Sequence, residues 1–150
     1  MERRYWALLV IAAGKDTGLT PVQLQKALFL LGTECATEIG EPDDFYHFEP
    51  YDYGPFDVQV YEDARQLKAE GLITISPVPG RRWNCYRATP DGKGKADSTR
   101  EKMPGGCLQK QVDWVKSQRF SQLVRAIYEK YPEMAANSVF QMDDCEEQSE

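Results

Sequence analysis

Leu72-Ile73-Thr74-Ile75-Ser76-Pro77-Val78-Pro79-Gly80-Arg81-Arg82-Trp83-Asn84-Cys85-Tyr86-Arg87-Ala88-Thr89-Pro90-Asp91-Gly92 is the stretch on which the fold turns. Its first five residues alternate and are rich in β-branched side chains, which predicts a strand. Pro77 to Arg82 makes a tight, basic connection, and Trp83 to Ala88 alternates again and pairs back as a hairpin. Thr89-Pro90 places a side-chain oxygen and a fixed φ where a helix begins. Gly92, Gly94 and a shortage of apolar residues make that helix a weak one.

Working upstream, Asp57 caps a helix running to about Glu70, with Val60, Tyr61, Ala64 and Leu67 as its apolar stripe and Gly71 as its stop. Phe45 to Glu49 predicts a short strand, and Pro50-Tyr51-Asp52-Tyr53-Gly54-Pro55-Phe56 a loop, because its prolines oppose regular structure. Thr20-Pro21 repeats the cap-plus-proline start and opens a helix with Leu24, Leu28 and Leu31 on one face, stopped by Gly40-Glu41-Pro42. Arg4 to Ala13, almost wholly apolar and closed by Gly14, predicts a helix at the centre of the core. Downstream, Met103-Pro104-Gly105-Gly106 is an internal boundary. Beyond it lie a helix over 108–118, a second one capped by Ser121, and a short ordered piece over 134–140. Helix, helix, short strand, helix, strand, basic turn, strand, helix is the winged helix-turn-helix order. The expected class is therefore α+β and mostly helical: a winged-helix core over 1–102, a C-terminal helical extension over 103–142 packing on it, and an acidic disordered tail over 143–150.

Composition bounds the rest. A chain of 150 residues, 41% hydrophobic and 28% charged, is one ordinary domain and large enough to fold without a disulfide or a metal. The longest apolar run, Trp6 to Ala13, is eight residues against the roughly 20 a membrane span needs. Met1-Glu2-Arg3-Arg4 is too short a basic run, with no small-residue cleavage site after it, to be read as a secretory signal. Cys35, Cys85, Cys107 and Cys145 lie at least 22 residues apart, and His47 is the one histidine, so no zinc-ligand spacing is present. Free thiols in a reducing cytoplasm are the expectation. Charge is segregated: residues 1–63 carry net −8, residues 64–130 net +8, and residues 131–150 hold six acids and no base.

The first-half motifs resemble a known group. Thr20 to Leu31, with its Leu24-Gln25-Lys26 and Leu28-Phe29 run, followed by Tyr51-Asp52-Tyr53-Gly54-Pro55, Val60-Tyr61 and Gly71-Leu72-Ile73, resembles small bacterial proteins of the Panacea domain group, the SocA-like antitoxin fold. Ala126 to Phe140 is similar to that group's C-terminal end, so the resemblance covers about residues 5–140. It implies a non-enzymatic regulator or toxin-neutralising partner, and no catalytic residues.

Two binding surfaces follow from the residues themselves. Phe45 to Phe56 packs six aromatics into twelve positions, beside Asp43, Asp44, Glu49 and Asp52. Tyr51, Asp52, Tyr53 and Phe56 are the expected contacts for a protein partner (a toxin, defence or phage protein) with basic character. The alternative is a nucleic-acid-binding regulator using Arg81, Arg82 and Trp83 at the wing tip with Lys93 and Lys95 behind them. Insertion of the helix before the wing into a DNA groove is disfavoured, since Asp57, Glu62 and Asp63 would be three of its five outer residues. No cofactor, metal or catalytic set is expected, because no phosphate loop or nucleophile motif occurs. The apolar helices over 108–140 would allow a homodimer.

Overall fold

A helix whose residues are apolar on every side must be wrapped on every side. α1 (Arg3–Ala13) is such a helix: Trp6 through Ile11 and Ala13 are buried. The computed structural model describes residues 1–103 and 105–140; the acidic tail over 143–150 lies outside them. A 3-10 turn (Lys15–Thr17) leads into α2 (Pro21–Glu34), followed by the short α3 (Ala36–Ile39). Two strands, β1 (Glu49–Tyr51) and β2 (Gly54–Phe56), form a first antiparallel hairpin. Then come α4 (Gln59–Ala69), a second hairpin of β3 (Ile73–Pro77) and β4 (Asn84–Ala88), and α5 (Pro90–Arg100). The chain ends in α6 (Cys107–Ser117), α7 (Phe120–Lys130) and a 3-10 turn (Pro132–Ala135). α1 packs against α2, α4, α5, α6 and β4, so the protein is α+β, mostly helical, around one buried rod.

Charged clamps fix the start of α1 to α4. Arg3 Nε and Nη2 donate to the two carboxylate oxygens of Asp63 at 2.8 and 3.1 Å, and the Tyr46 hydroxyl donates to the same carboxylate at 2.7 Å. Burial and the adjoining carboxylate both hold the Tyr46 phenol well above its ordinary range. Arg4 Nε pairs with Glu70 at 2.7 Å, and that hydrogen bond holds the Glu70 carboxyl below the usual range. At the far end, Lys116 reaches across from α6 to the Gly14 carbonyl and the Thr17 hydroxyl.

The caps formed as their residues require. Gln23 N–H donates to Thr20 Oγ1 while Thr20 N–H donates to Gln23 Oε1, a reciprocal box behind Pro21. Thr89 Oγ1 donates to the Gly71 carbonyl and accepts from Gly92 N–H. Gly92 itself faces Leu72, where an added Cβ would stand 1.9 Å from the carbonyl oxygen. That close approach lets an apolar-poor helix of eleven residues dock.

Several expectations need correction. Pro50 to Phe56 is not a loop but part of a two-stranded ladder, with Pro50 facing Pro55. The prolines occupy the middle one of three pairs, where antiparallel alternation asks for no N–H. The strand expected over Phe45 to Glu49 forms only at its last residue. Gln25 and Lys26 of α2, polar residues beside the apolar face, are both fully buried. α7 starts at Phe120, with Gln122 Oε1 accepting from Arg119 N–H, so Ser121 is not its cap. Cys35 and Cys107 are not free thiols: they form a disulfide, Cα atoms 5.8 Å apart, where the end of α2 meets the start of α6. Spacing conceals this pair because 72 residues separate the two. A cross-link closing so long a loop is worth about 4 kcal/mol in the chain-entropy account. It also removes the thiol argument for a reducing compartment. Cys85 is free and buried. The apolar stripes of the C-terminal helices, Leu108, Val112 and Val115 on α6 and Leu123, Val124 and Ile127 on α7, are buried within the chain. Among the described residues no helix is long and apolar enough to cross a membrane.

Gly92→Ala should destabilise the fold by about 3 kcal/mol, since its new Cβ meets backbone that must shift. Gly94→Ala, with open space at its Cβ, should stabilise by up to about 1 kcal/mol from helix propensity alone. Urea unfolding of the two variants checks the opposite signs. A second expectation concerns acid. Glu70 and Glu34 have folded-state values below the ordinary carboxylate range, through Arg4 and through Lys130 with Tyr131. Their stabilisation is complete above the ordinary carboxylate value and is lost as pH falls through the lowered ones. Thermal unfolding midpoints should therefore drop below about pH 4.5, with Glu70→Gln flattening that drop.

Candidate protein-docking site

The β1–β2 hairpin is held from beneath, from behind and along its turn. Beneath it, the aliphatic stem of Lys26 is fully buried, and its Nζ donates to the Pro55 carbonyl at 3.3 Å. Gln25, also fully buried, donates Nε2–H to the Asp57 carbonyl and accepts from the Asp57 N–H, both at 3.0 Å. Asp57 in turn accepts from His47 N–H and Gln59 N–H through its two carboxylate oxygens. One residue thus ties the segment entering the hairpin to the start of α4. Gly54 sits at φ +105°, with Tyr128 and Lys26 nearest to where its side chain would be. That backbone angle favours glycine.

The segment over 137–139 locks the turn. Asn137 Nδ2 donates to the Pro50 carbonyl at 3.2 Å, and Val139 N–H to the Asp52 carbonyl at 3.0 Å. Ser138 Oγ accepts from Tyr128 at 2.6 Å and donates to the Asp52 carbonyl at 3.4 Å. Asn137-Ser138 read alone as a cap or turn. Ser138 N–H does close such a turn on the Ala135 carbonyl, but both side chains also reach back some 86 residues.

The four expected partner contacts divide. Tyr51 is 45% exposed and stacks on Phe56 with ring centroids 4.6 Å apart. Phe56 meets Tyr61 edge-on at 5.8 Å, and Tyr61 lies parallel to Tyr86 on β4 at 6.4 Å, so ring contacts run from one hairpin to the other. Tyr53 turns the other way, edge-on to the buried Phe120 at 5.0 Å, and serves as an anchor. Asp52 gives its carbonyl to the chain end, and its side chain is half-buried. Among the described residues the exposed large hydrophobics are Met1, Tyr51, Val58 and Val139. Three of these four belong to this site: Val139 is bonded to the turn, and Val58 follows β2 by two residues. Sequence reading missed Val58 and Val139. A lone valine carries no signal until its neighbours are known. Glu49 is exposed in β1, and Asp43 and Asp44 are exposed in the segment ahead of it.

The wing residues are placed differently. Arg81 and Arg82 are exposed at the tip between β3 and β4, with the Arg81 guanidinium 5.2 Å from the centre of the Trp83 ring. Lys93 pairs with Asp16 at 3.1 Å, and Lys95 sits 4.3 Å above the Tyr5 ring, so the α5 lysines have partners within the chain. On α4 the reading of the outer face needs correction. Asp63 points inward to Arg3 and Tyr46 and is buried, because the pair it makes there desolvates it in good geometry. Glu62 is paired with Arg65 one turn on. The exposed residues of α4 are then Gln59, Glu62, Arg65, Gln66, Lys68 and Ala69, so of the three acids one, Asp63, is withdrawn, while Asp57 ahead of the helix is half-buried.

A groove of about 320 Å³ opens between α2, α6 and α7, floored by Leu30, Trp114 and Ile127 and edged by Glu34, Lys110 and Lys130. Compared with known proteins, the chain matches no family model, no curated protein and no solved structure.

Ser138→Ala removes a hydroxyl that accepts from Tyr128 and Phe140 N–H and donates to Asp52. It should cost about 2 kcal/mol of local stability. Amide hydrogen exchange across Glu49 to Phe56 should speed up in this variant while α1 amides stay protected.

Proposed function

We propose that this is a non-enzymatic winged-helix interaction protein, antitoxin-like or associated with defence, that binds a protein partner through the β1–β2 hairpin. The single observation that carries the reading is the exposure of Tyr51, Val58 and Val139 on and beside a rigidly supported hairpin whose first strand also carries the exposed acid Glu49. Exposed apolar side chains held on a fixed scaffold lose little entropy on binding and are what interfaces concentrate. The partner segment that fits carries apolar side chains flanked by lysine or arginine. A winged-helix arrangement is supported by the second hairpin and by Leu19, which bridges to Tyr86 between the first two helices and gives β4 a neighbour on its other side. The motif resemblance to the Panacea group supports the antitoxin-like reading and rests on residues 5–140.

A second reading has its own observation. With Asp63 turned inward and Glu62 neutralised, α4 presents Gln59, Arg65 and Gln66 next to a wing tipped by Arg81 and Arg82. Amides and guanidinium groups are the side chains that read base edges and phosphates.

Affinity purification from the native host, with and without nuclease, separates the two. On the first reading a stoichiometric protein survives nuclease, and Tyr51→Ala weakens its binding about 30-fold, as loss of an aromatic anchor does. Arg81→Ala with Arg82→Ala leaves that binding intact. Nucleic acid bound instead, with a salt slope lowered by about 1 for each arginine removed, would transfer the function to the wing.

A further inference from the structure

Cys35 and Glu38, three residues apart, meet Cys107 from the far half of the chain, and each of the three offers one donor atom within 4.8 Å of the other two. Cys35 closes α2, Glu38 lies on α3 and Cys107 opens α6. We propose that the protein with its disulfide reduced binds a thiophilic divalent cation, Zn²⁺ in its chemistry, through these three side chains. The disulfide and the metal site are then alternative states of one cluster.

The supporting shell is already in place. Leu108 N–H donates to Glu38 Oε2 at 3.2 Å, which fixes the carboxylate at the mouth of α6. Gln111 Nε2 lies 3.8 Å from Cys107 Sγ, one helical turn on, and points a donor at that sulfur. Outer donors of this kind orient ligands and tune their basicity. Gly105, at φ +76°, leaves the other side of the carboxylate open: a Cβ there would stand 3.3 Å from Glu38 Oε1. Cys107 begins an eleven-residue helix, whose N-terminal dipole favours a thiolate. It is half-buried, so a reductant and an ion can reach it, whereas Cys35 is buried.

The donor set selects the ion. Two thiolates and one carboxylate suit Zn²⁺, at about 2.3 Å to sulfur and about 2.1 Å to oxygen, with water in the fourth tetrahedral position. Magnesium and calcium want oxygen alone. Two thiolates on one tetrahedral ion stand about 3.7 Å apart, a separation that Cα atoms 5.8 Å apart allow. Binding breaks two S–H bonds and forms two metal–sulfur bonds, with release of two protons per ion. The preceding reduction needs two electrons. A water-soluble phosphine supplies them in the test: the S–S bond breaks, both sulfurs are protonated from water, and the water oxygen ends on the phosphine oxide.

The test titrates full-length, phosphine-reduced, metal-free protein with Co²⁺ under anaerobic conditions. Expected are one equivalent of tetrahedral Co²⁺ with thiolate-to-metal charge-transfer absorption, its displacement by one equivalent of Zn²⁺, and no such absorption in the oxidised protein. Glu38→Gln, which replaces an ionised ligand with a neutral amide, should weaken binding by at least about tenfold, and Cys107→Ser should abolish it. Cys85→Ser and Cys145→Ser should leave it unchanged. Absence of the absorption from reduced protein that keeps its native circular dichroism overturns the proposal, and so does absorption that survives Cys107→Ser or needs Cys145. Identical binding by oxidised protein also overturns it, and this comparison requires no variant to fold.

Discussion

The architecture depends on one constraint: α1 has no polar face to give to water. Seven of its eleven residues are buried, so neighbours must cover it all round, and α2, α4, α5, α6 and β4 supply that cover. Only its ends can carry charge. Arg3 and Arg4 reach out at the start to Asp63 and Glu70, while Lys116 closes the finish at Gly14. The hydrophobic requirement sets which elements gather, and the ion pairs set their register along the rod. A buried pair of this sort gains little over an apolar replacement, but removing one partner leaves a charge stranded. Arg3 with Asp63 and Tyr46 is best understood as an alignment device for α4.

The two hairpins are held by different means: β4 of the second packs on the rod itself, and the first rests on α2 and α7. The second is an ordinary alternating ladder, five pairs long, with Leu19 on its outer side. The first is three pairs long and contains a proline in each strand, so its own ladder is too poor to stand alone. Its order comes from outside: a buried glutamine and lysine below, and Asn137, Ser138 and Val139 across the turn. A surface that is weak internally and strong in its supports can present Tyr51 and Val139 to solvent without losing its shape.

What could be read in advance was whatever depends on neighbours in sequence. α1, the Thr20 and Thr89 caps, the α4 stripe and the second hairpin follow from periodicity and cap chemistry within a dozen residues. What could not be read depends on residues far apart. Gln25 and Lys26 look like a solvated helix side until Asp57 and Pro55 are seen to receive them. Asp63 looks like an outer acid until Arg3 is found opposite. Cys35 and Cys107 show no motif, because motif spacing is a property of one loop and theirs spans nearly half the chain. Pro50 and Pro55 misled for another reason. Proline forbids an N–H donor, and in a short ladder only half the positions need one. At the candidate site Tyr51 and Phe56 were legible as aromatic enrichment, whereas Val58 and Val139 became part of it only through the fold.

The bonds from Asn137, Ser138 and Val139 to the first hairpin also order events in time. During synthesis the hairpin residues leave the ribosome some 86 residues before their locks do. The rod, its capped helices and the second hairpin are complete in sequence well before that. Domains acquire structure as their chain emerges, so the hairpin waits, unpinned, while the rest assembles. A product cut before Asn137 would keep most of the core and lack the finished docking face. Readiness to bind therefore waits on the segment over 137–139.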